Sequence, residues 1–223
     1  MKKNLVLFSL FVLPIVAYLF FASGVNTFST LPTLTPSISE FGDWKSLDGE
    51  TIKLDGKITI LSFGGSDVLK NRGNYFNLNE KIYQRYHKFT DLQFVVLSPT
   101  GTEADVATFK KQLSETTDMA QWKFVFASTS EIASFYNQLG LKKDELNTNF
   151  GNNNAYIIDK KRNLRGRKVN DDKEYKEGYS MFFVSELHNE MLDDFKIILY
   201  EYKAALKKNK NATKRLHIAT DEK

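Results

Sequence analysis

Three apolar, β-branched runs, each closed by a turn and followed by a helix-period segment, restrict this chain to an α/β architecture. Residues 57–63 (KITILSF) read as a buried strand ended by Gly64-Gly65-Ser66. Tyr75, Leu78, Ile82, Tyr86 and Phe89 then recur at intervals of three and four, one face of a helix reaching residue 89. Residues 92–97 (LQFVVL) form a second buried strand closed by Ser98-Pro99, and residues 122–126 (WKFVF) a third. Thr102 with Asp105, and Ser128 with Glu131, are spaced as capping boxes. The first opens a helix with Val106, Phe109 and Leu113 on its buried stripe. The second opens one with Ile132, Phe135, Tyr136 and Leu139, stopped at Gly140.

A hairpin follows: strand 155–158, turn 159–163, strand 164–169. Residues 171–178 read as a charged loop. A last helix is expected over 185–206, with Leu187, Met191, Phe195, Ile198 and Tyr202 on one face. The order β-α-β-α-β-α-β-β-α predicts parallel early strands joined by right-handed crossovers. The closing hairpin and helix complete a thioredoxin-like three-layer sandwich, with one extra strand and helix at 122–139.

The N-terminus adds an address. Lys2 and Lys3 precede residues 4–24, a stretch without a charge. As a helix it would reach about 31 Å, enough for a bilayer core. The next basic residue is Lys45, which puts the N-terminus in the cytoplasm and the rest outside. A cleaved signal peptide is the rival reading, since Ala22-Ser23-Gly24 offers small residues; the length of the apolar run favours an uncleaved transmembrane helix. Either way the domain is exported, to the periplasmic or outer side of the cell membrane. Residues 25–40, rich in Ser, Thr and Pro, read as a linker, residues 41–206 as the domain and 207–223 as a basic tail.

Composition narrows the chemistry. The chain contains no cysteine, which removes disulfides, thiolate metal sites and thiol redox steps together. Its net charge of +4 is matched by the excess carried in the tail, so the body is balanced and shows no one-signed stripe for nucleic acid. The three histidines are His87, His188 and His217. His87 reads as solvated and His217 lies in the tail. His188, with Met191 and Met181, is the one arrangement resembling a soft-metal site, but Met191 belongs to an apolar stripe where methionine fills core gaps. Gly64-Gly65-Ser66 lacks the full phosphate-loop or dinucleotide pattern, and G-x-S-x-G fails at Val68.

The chain resembles the SCO/SenC family of membrane-anchored thioredoxin-fold proteins that assist copper-site assembly in cytochrome c oxidase. Gly56-Lys57 before a buried strand is similar to that family's opening. LQFVVLSPTGTEADVATFKKQ is similar to its second strand, proline-bearing turn and capped helix, and NAYIIDKKRNLRGR to its closing hairpin. The Leu31-Pro32 start of the domain also matches, so the likeness spans residues 31–205. The family's chemistry needs two cysteines four apart at the first strand-to-helix turn and a histidine before the hairpin. The positions matching them are Ser66, Lys70 and Asn152, the last within FGNNN at 150–154. A hydroxyl is a poor copper ligand and an ammonium none.

The resemblance thus implies the fold without copper binding or thiol–disulfide exchange, and with neither a catalytic residue nor a cofactor. The expected function is a non-redox binding or assembly factor in respiratory-oxidase biogenesis, with the membrane and a protein of that pathway as partners. Two alternatives stay open: an envelope adaptor unrelated to copper, and an enzyme using a polar pocket of Ser66, Asp67, Lys70 and Arg72.

Overall fold

The computed structural model describes Phe8 and residues 10–18, 30–169 and 174–221, with side-chain surroundings as far as residue 206. Residues 58–63, 92–97 and 122–127 have no charged side chain facing the core, and they become the centre of a mixed sheet: β3 (Ile58–Gly64), β4 (Leu92–Pro99) and β5 (Trp122–Ala127), mutually parallel. β6 (Gly151–Ile158) pairs antiparallel with β3, and β7 (Leu164–Arg165) returns beside it. With β1 (Thr33–Thr35) and β2 (Lys45–Ser46) at the edges, the order is β1-β7-β6-β3-β4-β5-β2.

Helices cover both faces. One face carries α1 (Arg72–Leu78), which passes through a π-helical turn, π1 (Asn79–Tyr83), into α2 (Gln84–Tyr86). Beside it lie α3 (Glu103–Ser114) and the C-terminal helix. The latter starts as α5 (Val184–Glu186), passes through π2 (Leu187–Met191) and continues as α6 (Leu192–Asp221). Tyr75, Phe109, Trp122, Met191 and Phe195 fill this core. The opposite face is covered by α4 (Thr129–Gln138) and by the segment 38–54, with Phe41, Trp44, Phe63, Phe135 and Tyr156 packed between them. Residues on β6 alternate between the two cores, as the two-residue period of a strand demands: Ala155 and Ile157 face one, Tyr156 and Ile158 the other. The three-layer sandwich is thus present.

Several local expectations change. Ser128 and Glu131 do form a reciprocal capping box. Thr102 does not cap α3: its backbone, at φ −102° and ψ 10°, lacks the extended geometry of an N-cap, and its hydroxyl is turned to donate to the Pro99 carbonyl at 2.7 Å. The 25–40 linker reading fails for its described part. Leu31 and Ile38 are buried, and β1 pairs with β7. The buried Arg165 side chain donates to the Leu31 carbonyl and to both Glu201 oxygens, and Glu201 accepts from the Leu31 N–H at 2.9 Å. The described part of 171–178, read as a loop, holds β9 (Glu174–Lys176), which pairs with β8 (Arg167–Val169) in a charged ribbon, and β10 (Tyr179–Ser180) adds to β6. The last helix, expected to end at residue 206, continues beyond it, and the backbone of residues 207–221 belongs to α6.

The transmembrane expectation falls largely outside the described residues. Those described in the apolar run, 8 and 10–18, are helical. Among the described residues, no helix is long and apolar enough to cross a membrane.

Candidate functional site

The C-terminal end of β3 and the segment entering β6 meet in one polar corner. Gly65 holds φ +62°, a left-handed backbone that costs L-residues strain. A Cβ there would lie 2.5 Å from the Asn149 carbonyl oxygen and 2.7 Å from the Gly151 nitrogen. The close approach lets the Ser66 N–H donate to the Asn149 carbonyl at 2.9 Å. Asp67 is the hub of the turn. Its carboxylate accepts from Asn149 Nδ2 at 2.6 Å and from Lys70 Nζ at 3.1 Å, while its carbonyl accepts from the N–H groups of Lys70 and Asn71. The facing loop is ordered by Asn147, whose Oδ1 accepts from the N–H groups of Asn149 at 2.9 Å and Gly151 at 3.0 Å.

Ser66 and Lys70 therefore share one turn, as expected. Asn152 does not join them. Its Nδ2 donates to Tyr156 Oη at 2.6 Å, and Tyr156 Oη donates to Asp144 Oδ2 at 3.2 Å, on the opposite side of β6. The neighbouring Asn153 takes the α1 side, where its Oδ1 accepts from Asn74 Nδ2 at 2.9 Å. The residue that reaches the Ser66 turn is Asn149, three places earlier. Alternation along a strand flips the face at every step, so a run of asparagines cannot be assigned by position alone. Asn147 and Asn149 lie just before the FGNNN run at 150–154 and were not singled out from the sequence.

Behind β6, burial raises the Asp144 carboxyl above the usual carboxylate range, against hydrogen bonds from Asn154 and Tyr156 that lower it; the nearby Glu177 and Glu186 add to the rise. Burial and the Asp144 charge push the Tyr156 phenol well up. Tyr156 therefore stays protonated and serves as a donor.

The donor set does not fit copper. The Lys70 side chain is ion-paired with Asp67, the Asn149 amide is committed to the same carboxylate, and the chain supplies no thiolate. Met181 and Met191 are buried in the core, whereas His188 is exposed, so these three do not converge on one point. The corner can hold a backbone turn rigid and present polar groups; it has no soft ligand and no group able to cycle between redox states.

Solved structures share this fold. A SCO1/SenC family lipoprotein from Bacillus anthracis str. Ames matches with a TM-score of 0.57 at 17% identity, over 77% of this chain and 99% of that one. BsSco, a member of the Sco family of cytochrome c oxidase assembly proteins, matches with a TM-score of 0.51 at 15% identity, over 75% and 94%. No family model and no curated protein matches the sequence. The fold is thioredoxin-like, and its structural neighbours include SCO/SenC family proteins. At such identities a shared fold does not carry function with it.

Proposed function

We propose that this chain is a cysteine-free, SCO/SenC-like assembly factor that works by contact, without turnover, copper binding or thiol–disulfide exchange. On this reading residues 1–24 anchor it in the cell membrane with the N-terminus in the cytoplasm, and the domain acts on the outer side in respiratory-oxidase biogenesis. The observation that carries it is the turn after β3. Ser66 and Lys70 stand where the resemblance places cysteines, and Asp67 locks the turn through Lys70 and Asn149. A turn tied by its own side chains is suited to be a surface and poorly suited to be a reaction centre.

Two measurements test this. Cu(I) titration of the purified chain against a chelator of known affinity is expected to show no stoichiometric site; one tight equivalent would end the reading. Deletion of the gene is expected to lower the amount of assembled terminal oxidase. Fully assembled, fully active oxidases in the deletion strain would remove the pathway. Ser66→Ala with Lys70→Ala is expected to leave partner capture intact, which separates contact from catalysis at that turn.

A further inference from the structure

Most large apolar side chains of the folded body are buried, and the exceptions are not scattered. Between residues 31 and 206 the described exposed ones are Tyr175, Phe182, Phe183, Val184, Tyr200 and Leu206. The first four sit together. Phe182 and Phe183 are 62% and 58% exposed, with ring centroids 5.2 Å apart in an edge-to-face pair. Single exposed apolar residues are ordinary, but a contiguous exposed patch marks an interaction surface.

The patch is held firmly. Met181, fully buried, roots it in the core. Its N–H donates to the Asn153 carbonyl at 2.8 Å, and its carbonyl accepts from Asn77 Nδ2 at 3.0 Å. The two phenylalanines therefore project from a knuckle fixed between β6 and α1, on the sheet end that also carries the Ser66 turn. Little ordering remains to be done when a partner arrives, which favours binding.

Beside the knuckle lies a cleft of about 300 Å³ with Phe183 and Tyr175 in its wall and Asp144, Glu177 and Glu186 around it. Two ammonium groups also line it, and both are taken. Lys143 Nζ is 2.9 Å from Glu174, and Lys176 Nζ is 2.9 Å from Glu186 and 2.7 Å from Glu190. Three carboxylates and two ammonium groups line the cleft; with Glu174 and Glu190 behind them, and the Arg167 guanidinium 4.0 Å from Glu190, five carboxylates face three cations. Burial is the main cause that raises the Asp144 carboxyl, and the Glu177 and Glu186 charges add to the rise. On a chain of net charge +4 this excess of carboxylates is a local reversal of sign.

We propose that the Phe182–Phe183–Val184 knuckle and the acidic cleft beside it form a docking surface for a protein segment in which lysine or arginine adjoins apolar residues. The apolar side chains would cover the two phenyl rings. The stem of the basic side chain would lie along Phe183 and Tyr175, with its charged head among the carboxylates. This deepens the contact reading above and rests on it.

The test uses the full-length chain in its native membranes, with benzoylphenylalanine placed at 182 or at 183, and at Leu206 as a control on α6. After irradiation the linked peptides are sequenced by mass spectrometry. Links from 182 and 183, absent from 206, to a segment with a basic residue beside an apolar one are expected. Their yield should fall about threefold or more between 0.05 and 0.5 M salt, and similarly with Glu174→Lys, a substitution at an exposed carboxylate. Links only to lipid, only to a second copy of this chain, or to an acidic segment would overturn the proposal, as would the absence of any link. A basic partner outside oxidase assembly leaves the docking surface standing and removes the pathway. Full rescue of a deletion strain's lost oxidase by the Phe182→Ser/Phe183→Ser chain does the reverse.

Discussion

Replacing Gly65 with alanine tests the claim that the corner after β3 is built on one backbone approach. The left-handed φ alone costs an L-residue roughly 1–2 kcal/mol. The larger effect is steric. A Cβ would meet the Asn149 oxygen at 2.5 Å, the Gly151 nitrogen at 2.7 Å and the Gly151 Cα at 2.8 Å, and all three are backbone atoms with no rotamer to escape into. Relief requires the Ser66 turn and the 149–151 segment to part. That breaks the Ser66–Asn149 bond, at about 1 kcal/mol, and the bond from Asn149 to the Asp67 carboxylate, at about 1.5–3 kcal/mol. The expected loss is about 3.5–6 kcal/mol, or about 7–24 °C in midpoint for a domain of this size. Urea unfolding followed by tryptophan fluorescence reads it, since Trp122 is buried. Two controls sharpen the result. Gly73→Ala, in α1 with no atom within 4 Å of the added methyl, should stabilise by roughly 0.5–1 kcal/mol. Gly65→Asn, which tolerates the left-handed backbone, should recover only the strain and keep the clash. A Gly65→Ala chain within about 1 kcal/mol of the parent would refute the reasoning.

Arg165→Ala should cost about 3–5 kcal/mol, because it leaves Asp159 and Glu201 without their buried partner and releases the Leu31 carbonyl; hydrogen exchange of residues 31–35 should rise first. Ser128→Ala should cost about 1 kcal/mol through the lost cap of α4, measured by the same urea titration. Burial tends to raise the Asp159 carboxyl, but hydrogen bonds from Asn163, Arg165 and the Lys161 N–H outweigh it and hold the group below the usual range. A carboxyl depressed on folding stabilises fully above its unfolded value of about 3.9 and loses that contribution as pH falls through the lower folded value. Urea midpoints taken from pH 6 down to pH 3 should therefore fall less steeply for Asp159→Asn than for the parent, and an unchanged slope would contradict the assignment.

What the sequence disclosed depended on how local its cause was. The runs KITILSF and LQFVVL are buried on both faces and could hardly be anything but central strands, and Ser128 with Glu131 closes its box within four residues. Residues 31–38 looked like a tether because serine, threonine and proline dominate there. Their place in the fold is set by Arg165 and Glu201, more than a hundred positions away. Thr102 had the right spacing for a cap but not the extended backbone that aims a capping oxygen at the helix N–H groups. In the site, the turn at Ser66 and Lys70 was legible from the Gly-Gly stop. The facing residue was not: Asn149 reaches it from the turn before β6, while Asn152 and Asn153 are split between the two faces of the strand.

The two π-helical turns carry a consequence for how this chain tolerates change in length. A π turn closes i→i+5 and so accommodates one residue more than the α turn it interrupts. Deleting one residue within Asn79–Tyr83 or Leu187–Met191 would let the turn relax to ordinary helix, with the flanking stripes of Tyr75 and Leu78, or of Phe195 and Ile198, still facing inward. The same deletion in Glu103–Ser114 has no slack to absorb it and would swing everything downstream by about 100°. Each of these two helices thus contains a spare residue, and single-residue gaps are expected to be tolerated there before anywhere else in the layers.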